Sequence, residues 1–335
     1  MKESNTQLAW PLIGNEKAIE FLTKSLLSRR LAQTYIFTGP SNLGKTTIAY
    51  CFAKNLMLLD SNSNLDLAHM DLDKLNLSGD FHAISREVGK KNISIDQIRE
   101  FIKILEMSSF ANSYKIGVIK EAETLSPEAA NALLKLLEEP QEKVVIILIT
   151  SHLEHILPTI ASRSQVINFY PVRTEVIHDK LVKEYGATPS LAKKCSRLAL
   201  GRPALAVKFF EDQEFYQDYL SKVNVFLNFF NNNLVERLAD VNQLLSEKKE
   251  EASTGRTTSQ ILEIWEGVVR DLLLLNLEQE DLIQNLEARE TLLAVKERAS
   301  LSRLQKLWPL FKISQEYLAA NVGPRNVLEN IAINI

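Results

Sequence analysis

A parallel α/β domain followed by an all-helical region is the fold class that this sequence of 335 residues predicts. In the first half, short apolar or β-branched runs alternate with segments of helical periodicity, as expected for a parallel sheet with helices on both faces. After Tyr170-Pro171 the chain has long amphipathic stretches and no convincing strand pattern. A chain of this length is expected to form two or three domains.

Five runs in the first half are predicted as strands because they are short, apolar and rich in β-branched or aromatic residues. Segments with helical patterns separate them. The predicted strands occupy residues 35–38, 81–85, 115–119, 144–149 and 166–169.

Three helices of the first half have recognisable starts or ends. One begins near Thr46, directly after a loop that follows the first strand. Another begins at Ser94, which forms a capping box with Gln97 three residues later. A third begins at Ser126-Pro127 and cannot continue past Pro140, since proline has no N–H to donate.

The second half is predicted to be entirely helical. Residues 175–210, interrupted by Gly201-Arg202-Pro203, fit a subdomain of three helices. The polar segment 246–258 is predicted as a loop between helices. In the first half, the polar segment 60–79 is predicted as an exposed excursion.

The loop at residues 39–46 reads GPSNLGKT and matches the pattern G-x-x-x-x-G-K-[ST]. It follows a predicted strand and precedes a predicted helix, so a chance match is disfavoured. In such loops backbone N–H groups bind phosphate oxygens, the lysine reaches the outer phosphates, and the Ser or Thr hydroxyl binds Mg²⁺. The sequence therefore predicts a bound nucleoside triphosphate, with Lys45 and Thr46 in these two roles.

The strand at 115–119 continues into Lys120-Glu121, where an aspartate that holds the metal, followed by glutamate, is expected. Magnesium prefers hard oxygen ligands, and a lysine ammonium repels it. An ordinary strand end with a solvated salt pair is an equally acceptable interpretation. Nucleotide binding and hydrolysis are therefore separate predictions for this chain.

Composition excludes several classes of protein. The content of 45% apolar and 24% charged residues is that of a soluble globular protein, and a net charge of -3 is unlike a protein that binds nucleic acid by itself. Two distant cysteines, Cys51 and Cys195, cannot form a disulfide framework or a four-thiolate zinc site. The longest apolar run, residues 144–150, is too short to cross a bilayer, and no leader pattern is present. A cytoplasmic location is expected.

Other candidate sites have simpler explanations. His152 and His155 lie one turn apart, but no acidic or thiol residue follows at metal-ligand spacing. Four aromatic residues fall within helical leucine stripes, where packing in the core or against another subunit is favoured over stacking on nucleic-acid bases. These residues are Phe229, Phe230, Trp265 and Trp308.

Seven short motifs, in this order and spacing, make the chain resemble the AAA+ clamp-loader ATPases, and in particular the delta-prime subunit family of bacterial DNA polymerase III. The resemblance covers nearly the whole length, and the third motif favours delta-prime over the gamma/tau motor subunit. The motifs are PLIGNEKA at 11–18, the loop at 39–46, ISIDQIRE at 93–100, EAE at 121–123, NALLKLLEEP at 131–140, LPTIASRS at 157–164 and NVGPR at 321–325.

The resemblance implies three domains and a role in DNA replication. Residues 1–172 would form the AAA+ nucleotide-binding domain, residues 173–210 a small helical lid, and residues 211–335 a helical collar for oligomerisation. The partners implied are the gamma/tau and delta subunits, with the sliding clamp and primed DNA reached through the complex. The implied activity is support of ATP-dependent clamp loading.

Position by position, the resemblance also implies a nucleotide site. Ile13 and Gly14 would lie beside the adenine, and Thr150 and Ser151 would sense the terminal phosphate. Glu121 would polarise the attacking water. The residues implied to hold the phosphates are Gly39, Pro40, Ser41, Asn42, Leu43, Gly44, Lys45, Thr46 and Thr47.

Two arginines are implied to act on phosphate charge. Arg163, in Ser162-Arg163-Ser164, matches a Ser-Arg-Cys element whose arginine reaches into a neighbouring subunit's ATP site. Arg202 lies near the position of a second sensor arginine, with a register uncertain by one or two residues. A surface arginine and a residue at a helix start are the respective alternatives.

Three departures from the family pattern modify these expectations. Lys120 replaces the aspartate, Ser164 replaces the cysteine, and the four-cysteine zinc module is missing, so no zinc is expected. We hypothesise that ATP or ADP binds with weakly held Mg²⁺ and that the isolated chain hydrolyses ATP weakly or not at all. The alternatives are an active gamma/tau-like motor, in which Glu121 or Glu123 recruits the metal, and a small-molecule kinase, for which no acceptor site is evident.

Overall fold

The computed structural model of the chain describes residue 10 and residues 13–60, 71–87, 89–109, 114–138, 142–246, 255–320 and 322–335. These residues form two compact units. One comprises the described residues up to Val176 together with Gly201–Leu205, and the other comprises Ile177–Leu200 and Ala206–Ile335. The predicted division into three domains, at residues 172 and 210, stays a prediction.

Five residues of the family motifs lie outside the described residues: Pro11, Leu12, Glu139, Pro140 and Asn321. Within the described ranges, no helix has both the length and the apolar character needed to cross a membrane.

A five-stranded parallel sheet forms the centre of the first unit, with strand order β2-β3-β4-β1-β5. The predicted strands are confirmed, and their ends differ from the prediction by at most one residue. The central position of β4 explains its continuous apolar sequence, since all seven of its residues are buried. The strands are Thr34–Thr38 (β1), Phe81–Ile84 (β2), Lys115–Ile119 (β3), Val144–Thr150 (β4) and Gln165–Asn168 (β5).

Helices cover both faces of the sheet, as the alternation of patterns predicts. Successive residues of β1 point to opposite faces, so Tyr35 and Phe37 pack with α1 and α2 while Ile36 packs with α3 and α4. The capping box of Ser94 and Gln97 is confirmed at the start of α3. These helices are α1 (Glu16–Ser28), α2 (Lys45–Asp60), α3 (Ile95–Glu106), α4 (Pro127–Glu138) and the short α5 (Pro158–Ala161).

Two loop predictions are wrong in part. The polar segment 60–79 is not simply an exposed excursion, because its described part contains a 3₁₀ helix, Leu72–Ser78, and Leu75 is fully buried against the core. The predicted loop 246–258 ends early, since a helix begins at Gly255 and Thr258 is fully buried within it. In both cases tertiary packing of a few residues outweighs the polar character of the local sequence.

The described residues after β5 contain helices and no further strand, as predicted, and three of these helices occupy the segment predicted at 175–210. These helices are α6 (Thr174–Tyr185), α7 (Pro189–Leu198), α8 (Pro203–Glu211), α9 (Gln213–Asn228), α10 (Leu234–Ser246), α11 (Gly255–Asn276), α12 (Arg289–Lys296), α13 (Leu301–Ala319) and α14 (Pro324–Asn334).

Aromatic side chains form part of the core of the second unit. Trp265 is fully buried, stacks on Phe226 with ring centroids 5.1 Å apart, and donates its indole N–H to the Lys222 carbonyl at 3.1 Å. Phe229 and Phe230 are buried as well, whereas Trp308 is 39% exposed. Core packing therefore accounts for three of the four aromatic residues noted in the sequence.

A buried carboxylate, Asp271 on α11, fixes the loop that follows this helix. It is fully buried and accepts hydrogen bonds from the backbone N–H groups of Gln284 at 2.9 Å and Asn285 at 2.8 Å. The Asn285 side-chain amide donates a third bond at 2.8 Å. Burial raises the pKa of Asp271, while these hydrogen bonds and Arg270 oppose the rise.

Candidate nucleotide-binding site

The phosphate-loop motif lies between β1 and α2, at the carboxyl end of a central strand of the parallel sheet. Three of its residues have positive φ: Gly39 at 138°, Asn42 at 62° and Gly44 at 87°. At Gly39 a Cβ atom would lie 2.2 Å from the Phe169 carbonyl oxygen, so any side chain there would collide with the backbone after β5. The loop is thus shaped by the sheet beneath it.

Lys45 is the first residue of α2 and its side chain folds back over the loop. Its ammonium group donates to the carbonyls of Gly39 and Pro40, the second at 2.7 Å, and the residue is only 6% exposed. Burial lowers the pKa of Lys45 to about 8, and the charge of Glu123 opposes this shift. Positive charge and helix N–H groups therefore meet at the start of α2, which favours an anion.

Lys120 and Glu121, at the end of β3, have partners other than each other. The Lys120 ammonium lies 5.1 Å from the centroid of the Tyr50 ring on α2, a cation–π contact. Glu121 has a left-handed backbone with φ of 53° and accepts a bond from Arg86 Nε at 3.3 Å. Arg86 also donates to the carbonyls of the loop before α3, at 3.3 and 3.4 Å.

Glu123 is a carboxylate for which the sequence suggested a role only in the alternative of an active motor, where it or Glu121 would recruit the metal. Its Oε1 accepts a bond from the backbone N–H of Ser151 at 3.4 Å, and its charge acts on Lys45. Its Oε2 is buried and has no hydrogen-bond partner among the described residues. The Glu-Ala-Glu spacing gave a weak signal, but the left-handed turn at Glu121 decides where each carboxylate points.

The residues at the end of β4 are linked to the loop. Thr38 of β1 is paired with Thr150 of β4, which brings the ends of these two strands together. The Ser151 hydroxyl lies 3.1 Å from that of Ser41 in the loop. Thr150 is buried, and its hydroxyl bonds the backbone N–H and carbonyl of His152 at 3.0 and 3.1 Å. Ser151 is thus the more accessible of the two predicted phosphate sensors.

Ile13 and Gly14 are predicted to lie beside the adenine, and Gly14 packs close to the segment that follows β5. Ile13 is 6% exposed. Gly14 has φ of 76°, and a Cβ atom there would lie 2.5 Å from a methyl carbon of Val172. Asn15 completes the contact by bonding the backbone of Tyr170 in both directions, at 2.8 and 3.1 Å.

Arg202 lies in the short segment Gly201–Leu205 that belongs to the first unit. Two hydrogen bonds fix this segment: Val172 N–H donates to the Gly201 carbonyl at 2.8 Å, and Ala204 N–H donates to the Asn42 carbonyl at 3.1 Å. The second bond joins the segment directly to the phosphate loop. The backbone of Arg202 is therefore held next to the predicted phosphate site.

Arg163 follows α5 and is half exposed. Its guanidinium pairs with Glu138 at 3.2 Å and donates to the Thr159 carbonyl at 3.3 Å, with 43% of the Arg163 side chain exposed. Ser164, which stands where the family has cysteine, donates its hydroxyl to the Ile160 carbonyl at 2.7 Å.

Within the described part of the chain, no three His, Cys, Asp or Glu residues are placed to hold a metal ion. His152 and His155 stack with ring centroids 5.2 Å apart, and His152 pairs with Glu154 at 3.1 Å. Cys51 and Cys195 are buried free thiols, and burial raises the pKa of each to about 11. The expectations of no zinc and of Mg²⁺ at Thr46 stay predictions.

The parallel sheet, the helices on both faces and the phosphate-loop motif between β1 and α2 define the class of protein, a P-loop fold of the AAA+ type. Residues 14–173, just under half of the chain, match the family model described as DNA polymerase III, delta subunit. The resemblance to delta-prime subunits of DNA polymerase III is thereby confirmed.

Named relatives agree with this assignment. The chain is 25% identical to DNA polymerase III subunit tau of Bacillus subtilis over 97% of this chain and 60% of the relative. It is 25% identical to subunit delta' of the same organism over 63% of each. Subunit delta' of Pseudomonas aeruginosa is 30% identical over 39% of this chain and 41% of the relative. The matched regions thus span less than two thirds of these relatives.

Among solved structures, the chain is similar to a DNA polymerase III gamma subunit-related protein of Thermotoga maritima. The TM-score is 0.42 at 17% identity, over 83% of this chain and 99% of that chain.

Proposed function

We propose that this chain is a delta-prime-like subunit of a DNA polymerase III clamp loader. It binds ATP or ADP, hydrolyses ATP weakly or not at all by itself, and supports ATP-dependent loading of the sliding clamp on primed DNA. Its partners are the gamma/tau and delta subunits, its contact with clamp and DNA is made through the complex, and residues 211–335 join the collar. It acts in the cytoplasm.

A single observation carries the proposal: the phosphate loop is complete, while the residue in the place of the metal-holding aspartate is Lys120, which lies over Tyr50. Lys45 and the N-terminus of α2 suit phosphate groups, so nucleotide binding is retained. Hydrolysis needs a metal held in place, and an ammonium group in place of a carboxylate weakens that hold.

The residues of the candidate site are better suited to bind a nucleotide than to bind Mg²⁺. Residues 39–47 would hold the phosphates, with Ile13 and Gly14 on the adenine side and Arg202 beside the loop. The Thr46 hydroxyl would be a protein ligand of Mg²⁺, which supplies neutralisation of phosphate charge when it is bound. With Lys120 in the aspartate position, the metal would be held mainly by the phosphates.

Arg163 is proposed to act on the ATP of a neighbouring subunit. Arg163 forms an ion pair with Glu138, and the two side chains are 43% and 53% exposed. Exposed ion pairs contribute no more than about 1 kcal/mol to stability, so little free energy is needed to separate the guanidinium from Glu138. An arginine supplied in trans accelerates phosphoryl transfer by roughly 10³ to 10⁵ in related enzymes. The subunit thus assists hydrolysis that it does not perform.

The test has two arms. The isolated chain should bind ATP and ADP but release phosphate slowly; turnover near ~1 per second or faster would overturn the proposal. Mixed with its cognate motor and delta subunits, it should form a stable complex that loads clamps only with ATP. In that complex Arg163→Ala should lower ATPase activity without preventing assembly, and Arg173→Ala, at another exposed arginine, serves as the control.

An active gamma/tau-like motor is the second candidate. The match to subunit tau over 97% of this chain favours it, since the match to delta' spans 63%. In that case Glu121 or Glu123 would have to recruit the metal. The turnover of the isolated chain distinguishes the two candidates.

A further inference from the structure

The position of Glu123 bears on which nucleotide the site prefers. This residue belongs to the 3₁₀ turn Ala122–Thr124 after β3, and one carboxylate oxygen accepts the Ser151 N–H at 3.4 Å. The other oxygen is buried without a hydrogen-bond partner among the described residues. A buried carboxylate oxygen without a donor is costly, so its presence calls for a functional reason.

The two groups associated with Glu123 are those that a terminal phosphate needs. A phosphate-loop lysine reaches the outer phosphates of a triphosphate. Ser151 stands at the end of β4, with its hydroxyl 3.1 Å from that of Ser41 in the loop. Glu123 engages the Ser151 N–H directly and attracts the Lys45 ammonium. Its carboxylate therefore competes with a terminal phosphate for both partners.

The inner phosphates are less affected. They are bound mainly by backbone N–H groups of the loop and by the N-terminus of α2, which the Glu123 carboxylate does not occupy. A terminal phosphate adds negative charge close to the carboxylate, and like charges repel strongly where water is excluded.

We infer that Glu123 is a specificity-determining residue that makes this site favour a nucleoside diphosphate over the corresponding triphosphate. The inference rests on the proposed nucleotide binding and deepens it. In the assembled loader, the subunit would then hold a diphosphate through cycles in which its neighbours exchange and hydrolyse ATP.

The neighbouring charged residues do not supply the same effect. Lys120 lies over Tyr50, and Glu121 accepts a bond from Arg86. Glu154, close in sequence to Ser151, is 67% exposed and pairs with His152. Glu154→Gln offers a matched control, because this substitution removes a carboxylate near the site without touching Lys45 or Ser151.

The experiment measures the dissociation constants of ADP and ATP for the full chain by calorimetry, with and without Mg²⁺. The wild type should bind ADP more tightly than ATP by at least about tenfold, equivalent to about 1.4 kcal/mol. Glu123→Gln keeps an acceptor for the Ser151 N–H and removes the charge. It should tighten ATP binding by about tenfold and leave ADP binding within about twofold. Glu154→Gln should leave the preference unchanged.

Each contrary result has a distinct meaning. Equal affinity of the wild type for both nucleotides overturns the inference and leaves the proposed function intact. Weaker ATP binding by Glu123→Gln, seen only with Mg²⁺, also overturns it, because the carboxylate then recruits the metal. No binding of either nucleotide overturns nucleotide binding itself. Circular dichroism checks that each variant folds. The preference of the wild type between ADP and ATP tests the inference even where a variant does not fold.

Discussion

Two carboxylates, the fully buried Asp271 and the half-buried Glu123, lie one in each unit of the chain and differ in how their oxygens are satisfied. Asp271 accepts three hydrogen bonds between 2.8 and 2.9 Å from Gln284 and Asn285 and is completely buried. Glu123 accepts one longer bond, at 3.4 Å, and leaves a buried oxygen without a described partner. Only at Asp271 do donors from its own fold reach both carboxylate oxygens.

The contrast separates structural from functional burial of charge. At Asp271 the carboxylate organises a loop through backbone N–H groups, so removing it leaves several donors unpaired. The charge of Glu123 acts on Lys45, whose expected partner is a phosphate. Three substitutions test this difference. For each one we expect a different change in the free energy of unfolding or in nucleotide binding.

The largest effect on folding is expected for Asp271→Ala. Loss of the carboxylate leaves three buried N–H donors without an acceptor, and the free energy of unfolding should fall by about 3–5 kcal/mol. Chemical denaturation followed by circular dichroism measures the change. Asp281→Ala, at an exposed position in the same loop, should stay within about 0.5 kcal/mol. A loss below about 1 kcal/mol for Asp271→Ala would show that the network is not structural.

A smaller effect is expected for the pH dependence of stability. Burial raises the pKa of Asp271 above its unfolded value, so between these values the native state binds more protons than the unfolded state. The contribution of Asp271 to stability therefore rises as pH falls through the raised pKa. Compared with Asp271→Asn, which does not titrate, the wild type should gain stability as the pH falls through the raised pKa of Asp271. A difference that is constant with pH, or that shrinks on acidification, contradicts this.

The smallest effect on folding is expected for Glu123→Gln. Neutralising a carboxylate that lacks a full set of donors should change the free energy of unfolding by less than about 1 kcal/mol, although it alters nucleotide preference. Denaturation under the conditions used for Asp271→Ala gives the comparison. A destabilisation as large as that of Asp271→Ala would make Glu123 a structural residue like its counterpart in the second unit.

The sequence predicted the sheet well because its strands are apolar and locally recognisable. All five strands and the capping box at Ser94 follow from short-range patterns. Leu75 was missed because its burial depends on packing beneath a polar segment. The network at Asp271 joins positions thirteen and fourteen residues apart across an irregular loop, which no periodic pattern marks.

The candidate site was predictable in its loop and less so in its carboxylates. Lys45 and the glycines follow from the motif, whereas the roles of Glu121 and Glu123 depend on a single left-handed residue at the end of β3. A turn of that kind changes the direction of every following side chain. Residue order alone therefore does not show which of the two acids lies near Lys45.

Gly39 has a consequence for how ligand binding can be observed. Its backbone lies against the Phe169 carbonyl, and the Phe169 N–H donates to the Thr38 carbonyl at 2.8 Å. We therefore expect the loop and the end of the edge strand β5 to move together. Nucleotide bound at the loop should slow hydrogen exchange of the Phe169 amide, so exchange at this residue would report whether the loop holds a ligand.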